Sequence, residues 1–134
     1  MFPSMYLFLS CGPNKKQQEE KLRQEVMAIH DEVMPKTEEL FKLRKNLQKL
    51  VDSLNLAKYP DTILGNLAKQ LVVKLKQADE AMMDWMHNYN GGSGIYDHEE
   101  LMNYLSEEKE KIQNVKSLIL ESIDSAHAFL QKKI

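Results

Sequence analysis

The sequence predicts an all-α fold: an antiparallel up-down-up three-helix bundle of long, coiled-coil-like helices. Three observations carry that expectation. Apolar residues recur at alternating three- and four-residue steps through three long segments. Two clusters of helix-breaking residues, Tyr59-Pro60-Asp61 and Asn90-Gly91-Gly92-Ser93-Gly94, divide those segments. Only 5 Gly and 4 Pro occur in 134 residues, so little else interrupts the pattern. That length suits one domain. An apolar fraction of 43% with 28% charged residues is the balance of a folding chain and excludes wholesale disorder.

The first helix is expected over about 19–57. Val26, Val33, Leu40, Leu47 and Leu54 form one seam position, and Leu22, Ile29, Leu43, Leu50 and Ala57 the other. Only Lys36 breaks the second set, so an a/d stripe is sustained over about five heptads. Pro35 lies inside it. The heptad phase survives across the proline, and no Ser, Thr, Asp or Asn directly precedes it to cap a new helix, so a kink is expected there. Pro60 ends the helix, because proline disfavours helical geometry in the residue before it.

The second helix is expected over about 61–90, with Leu64, Leu67, Leu71, Leu75, Ala78, Met82 and Trp85 as its stripe. The glycine cluster supplies the backbone conformations of a reversal. The third helix, about 97–132, opens on Asp97 and Glu100 in capping-box spacing. Its stripe is Leu101, Leu105, Ile112, Val115, Ile119, Ile123, Ala126 and Phe129 or Leu130. Short connections let three such helices bury their stripes by folding back on one another. The same long seam also suits pairing with another chain, so monomer and coiled-coil homo-oligomer both stay open.

The N-terminus reads as an address. Residues 1–10 (MFPSMYLFLS) are uncharged and mostly apolar, and polarity begins abruptly at Cys11. A short apolar stretch ending in a small residue is how a secretory signal looks before its cut site. Phe8-Leu9-Ser10-Cys11 resembles a lipobox at Ser10 and Cys11 and departs from it at Phe8 and Leu9. Residues 1–10 are then a signal-like segment, residues 11–18 a tether, and residues 19–134 the bundle. Acylated Cys11 would be the lipidation site and the contact with a membrane.

Composition narrows the function. A formal charge of −2 gives no field to hold a nucleic-acid backbone, and one cysteine makes neither an internal disulfide nor a cysteine-based zinc site. No run of 18 uncharged apolar residues offers a spanning helix. No glycine-rich phosphate loop, nucleophile elbow or HExxH occurs, so no catalytic set is found and no enzyme is expected. Asp84-x-x-His87 and Asp124-x-x-His127 fall too far apart along the bundle to share a metal. Runs such as Glu107-Glu108-Lys109-Glu110-Lys111 read as solvated faces.

One patch draws notice. Reflecting the chain about its two turns sets Met34, Met86 and Met102 in one layer, with His30 and His87 within a turn and Met83 beside them. Methionine fills irregular core gaps, and the kink at Pro35 falls in that layer. The sharper alternative is a soft-metal site, since thioethers and imidazoles suit Cu(I). A third is a docking surface for a partner.

Two stretches carry a family resemblance. His30-Asp31-Glu32-Val33-Met34-Pro35-Lys36 and Ala81-Met82-Met83-Asp84-Trp85-Met86 resemble the paired signatures of a family of small bacterial cell-envelope lipoproteins, often labelled "viral A-type inclusion protein repeat" proteins. The resemblance covers roughly residues 20 to 130. It implies a tethered envelope protein, lipid-anchored and facing the periplasm or exterior, with no established substrate or cofactor. The function expected is a non-enzymatic, lipid-anchored helical module acting through contacts with an envelope protein. Cu(I) binding and coiled-coil homo-oligomerisation are the alternatives.

Overall fold

The computed structural model describes residues 12–57 and 62–132. They form four helices, α1 (Lys15–Val33), α2 (Lys36–Leu56), α3 (Thr62–Asn88) and α4 (His98–Lys132), and no strand occurs among the described residues. The signal-like segment, Cys11 and the Tyr59-Pro60-Asp61 connection lie outside them. No helix of the described residues is long and apolar enough to cross a membrane.

Helix α1 starts at Lys15, so the second half of the stretch expected as tether is helical. The reason is local. Asn14 accepts the Gln17 backbone N–H at 2.8 Å, and the Gln17 side chain accepts the Asn14 N–H at 3.1 Å, a reciprocal capping box. The segment expected as one helix is divided between α1 and α2 at Met34 and Pro35. Both residues keep right-handed helical dihedrals, φ −53° and ψ −40° at Met34 and φ −61° and ψ −23° at Pro35. Proline has no N–H to give to the carbonyl four residues back. The ladder therefore shifts for one turn, with Thr37 donating its N–H (3.1 Å) and its hydroxyl (2.7 Å) to the Met34 carbonyl.

The core follows the expected stripes through most of the molecule and leaves them in two places. Val26, Val33, Leu40, Leu43 and Leu47 are buried on α1 and α2. Beyond them Val51 takes the inner position, while Leu54 is half-buried and Ala57 exposed. A helix of 3.6 residues per turn drifts by about 20° per heptad against a strict seven-residue repeat. On α3, Leu75, Ala78, Met82 and Trp85 are buried as expected, but in the first turns Gly65 and Ala68 face inward and Leu67 is exposed. That line faces α2, on which α3 packs. On α4 the expected line is buried from Leu101 to Ala126, with Phe129 and Leu130 half-buried beyond it, and Glu108 and Ser122 lie on it too.

Helix α1 rests mainly on α4, whereas α2 packs on both α3 and α4. Polar contacts lace α4 to the first two helices: ion pairs from Lys109 to Glu25 (3.0 Å) and Lys116 to Glu32 (2.8 Å), and hydrogen bonds between His98 and Glu19 (2.9 Å) and between His127 and Glu39 (2.7 Å). Positions on the two sides advance together along the chain.

The glycine turn needs its glycines. Gly92 is buried at φ +82°, and a Cβ there would collide with the Leu101 side chain. Its neighbour Gly91 offers a carbonyl to Arg23 Nε at 3.0 Å, which staples the turn to α1.

Candidate functional site

The residues brought together near the glycine-turn end centre on Trp85. Trp85 falls on the buried line of α3, one turn after Met82, and its indole must find a partner for Nε1–H when buried. That partner is Glu108, which accepts at 2.9 Å on Oε2. Lys111 donates to the other oxygen at 2.9 Å, so both carboxylate oxygens are satisfied although the side chain is only 8% exposed. The reading of Glu107 to Lys111 as a wholly solvated run is thus corrected. Glu108 lies between Leu105 and Ile112 on the inner line of α4, where helical spacing leaves it nowhere else to point. That empty slot in the apolar stripe was the signal, and the acid in it belongs to the chain's single tryptophan. Glu108 in turn holds the Lys111 ammonium above its ordinary pKa, chiefly through their hydrogen bond.

Aromatic rings continue outward from Trp85. His30 on α1 lies 5.8 Å from it between ring centroids, tilted by 32°. Tyr89 stacks on its other side at 4.8 Å, and Tyr104 on α4 lies parallel to Tyr89 at 6.4 Å. The Tyr104 hydroxyl accepts the Asn90 N–H at 3.2 Å, while the Tyr89 hydroxyl is buried without a hydrogen-bond partner among the described residues. Burial is the main reason its pKa is raised. A ladder of four rings therefore runs from α1 past the end of α3 to α4, and its His30–Trp85 contact bridges α1 and α3, which pack only weakly on each other.

The methionines divide. Met82 is fully buried, and Met27 and Met34 are half-buried against the cluster that holds Trp85. With His30 beside Trp85, Met34 falls one turn on from His30, so Met34 and Met86 lie within about two turns of each other. Met86 is 38% exposed and Met83 54% exposed, with His87 exposed one turn beyond Met83. Met102 is elsewhere. It borders cavities with Lys15 and His98 on one side and Leu22 and Glu25 on the other. Leu22 precedes Met34 by about 18 Å of helix.

The expected common layer of Met34, Met86 and Met102 is therefore corrected. Trp85 meets Glu108 and Tyr89 meets Tyr104, which centres the reversal between Tyr96 and Asp97 and not on the glycines. Residues 95–97 follow the turn before α4 begins, and that extra length slides α4 along α3.

The remaining histidines are engaged in the frame. His30 Nδ1 lies 2.9 Å from Asp31, and His98 and His127 pair with Glu19 and Glu39. Among the described residues, no three His, Cys, Asp or Glu side chains converge as a metal site. No family model, curated protein or solved structure matches this chain.

Proposed function

We propose that the chain is a non-enzymatic, lipid-anchored helical module of the bacterial cell envelope, acting through protein contacts. The observation that carries the reading is the position of the single cysteine, at the switch from an apolar to a polar stretch and three residues before the Asn14 cap of α1. An acylated Cys11 would hang the helical domain directly from a membrane, with almost no free tether. The arrangement we infer is an up-down-up bundle whose first limb, α1 and α2, bends at Pro35. The stepwise ion pairs from α4 to that limb support its running parallel to α4. The Trp85–Glu108 and Tyr89–Tyr104 contacts support an α3 that runs the opposite way.

The resemblance of the His30–Lys36 and Ala81–Met86 stretches to envelope lipoproteins points the same way. In the structure these two stretches meet, with His30 against Trp85. A paired signature that forms one ring contact describes a packing unit. A Cu(I) site is the less supported reading, since Met102 lies apart from the patch and His30 is occupied by Trp85 and Asp31.

Fractionation of cells expressing the full chain tests the anchor. Wild type is expected in the membrane fraction and Cys11→Ala in the soluble one; identical partitioning of both forms would refute lipidation.

A further inference from the structure

Helix α3 carries two stripes. The inner one is half-buried Leu71 followed by buried Leu75, Ala78, Met82 and Trp85. The second is the same pattern moved on by one residue, Val72, Lys76, Asp79, Met83 and Met86, at steps of four, three, four and three. A shift of one residue turns a side chain by about 100° around the helix, so this stripe lies at the edge of the core. Its exposures agree: Val72 and Asp79 are half-buried, while Lys76, Met83 and Met86 are exposed.

The surface beside it is unfinished. A cavity of about 700 Å³ between α2 and α3 is lined by Phe41 and Val72, by four cations, Arg44, Lys45, Lys49 and Lys76, and by Gln48 and one acid, Asp52. Phe41 is 56% exposed, and the Arg44 guanidinium lies over its ring at 5.9 Å. Lys45 and Lys49 have no acidic partner among the described residues, in contrast to the laced side where Lys109 and Lys116 each meet a glutamate. Charge is also segregated along the chain. Residues 36–77 hold nine Lys and Arg against four Asp and Glu, and residues 78–116 hold three against nine.

We propose that this face seats a second copy of the chain, packed antiparallel about a two-fold axis crossing α3 between Gln77 and Ala78. In that register Val72 meets Met83 of the partner subunit, and Lys76 meets Asp79 of the partner subunit. Both contacts occur twice, as an isologous interface requires. The stripe is self-complementary only in reverse. A parallel pairing sets Lys76 against its own copy and Asp79 against its own copy, which costs free energy. Antiparallel packing also brings the basic half of one copy over the acidic half of the other. Charge complementarity of this kind favours a second copy over an acidic partner of another sort, because the acidic surface is already present on the same chain. The apolar members, Phe41, Val72, Met83 and Met86, flank the charged centre on both sides and supply the apolar contact. The pairing needs no lipid, so it stands or falls separately from the anchor.

Sedimentation equilibrium of the full chain carrying Cys11→Ala tests it, since that background can neither be acylated nor form a disulfide at residue 11. A concentration-dependent dimer is expected, weakened by added salt. Lys76→Glu and Asp79→Lys are each expected to weaken it at least tenfold, with helix content by circular dichroism unchanged. An equimolar mixture of the two variants is expected to dimerise again, because each reversed charge then meets its opposite in both contacts. A monomer at every concentration would overturn the proposal. So would a dimer that neither reversal weakens, or a mixture that stays monomeric.

Discussion

The half of the molecule around Trp85 and the half around Gly65 are written in the same heptad language and packed in opposite ways. Around Trp85, α1 leans on α4 and stands off from α3, and the space is filled by volume: four aromatic rings, Met27, Met34 and Met82. Around Gly65, α2 lies close on α3, and the contact line is made small by Gly65 and Ala68 while Leu56, Ile63 and Leu67 are left outside. Pro35 sits where one regime gives way to the other. The proline removes one helical hydrogen bond there and divides α1 from α2. Among the described residues the charged group in the core is Glu108, in the wide half, where an indole and an ammonium can both reach it; the other buried polar side chain, Ser122, gives its hydroxyl to the Leu118 carbonyl of its own helix.

The sharpest way to break this contrast is to empty the wide half. Trp85→Ala removes the ring that three neighbours pack on and leaves the Glu108 carboxylate with Lys111 as its one partner. Large-to-small changes of this kind cost about 3–5 kcal/mol. Urea denaturation followed by circular dichroism is expected to show a loss in that range. A loss below about 1 kcal/mol, the scale of an ordinary surface change, would mean the ring ladder is decoration on a core that stands without it.

The opposite half responds with the opposite sign. A Cβ added at Gly65 would meet only Leu54 Cδ1, at 4.0 Å, which is ordinary contact. Glycine inside a helix costs roughly 0.5–1 kcal/mol relative to alanine through backbone freedom in the unfolded chain. Gly65→Ala is therefore expected to stabilise by up to about 1 kcal/mol in the same urea assay. Destabilisation would show that α2 and α3 need the bare backbone and are packed more tightly than that clearance allows.

These two residues also mark what was legible in the sequence. Periodicity placed the all-α class, the α3 and α4 spans to within a few residues, and the inner line of α4 from Leu101 to Ala126, because a single buried stripe per helix is what periodicity reports. It misplaced Leu67, because the inner line of α3 passes through Gly65 and Ala68 where α3 packs on α2, and which face meets a neighbour is a property of the pair. It missed Glu108, because a charge on an apolar stripe looks like an error until its indole partner is found 23 positions earlier. Met102 was placed wrongly for a geometric reason. Reflection about a turn assumes that every loop residue is spent on reversing the chain, and residues 95–97 are spent on travelling along it.

Titration separates the two halves most finely. Glu39, on α2, is held below its ordinary carboxyl pKa, first by the hydrogen bond to His127 and also by Lys36, with partial burial opposing them. A depressed pKa means the folded state favours the carboxylate. The contribution is present above the unfolded value of 4.5 and is lost as pH falls through the lower folded value. Lys111, in the Trp85 half, is raised by Glu108, so its contribution is present below the unfolded value of 10.5 and lost as pH rises through the higher folded one. Acid should therefore loosen the α2 side and alkali the Trp85 side. The acid arm is small, because the pair is reached by water and such pairs contribute about 0.2–1 kcal/mol. Thermal melts of wild type and Glu39→Gln are expected to differ at pH 7 and to converge once pH falls well below 4.5. A difference that persists unchanged at low pH would assign the effect of Glu39 to its shape and not to its charge.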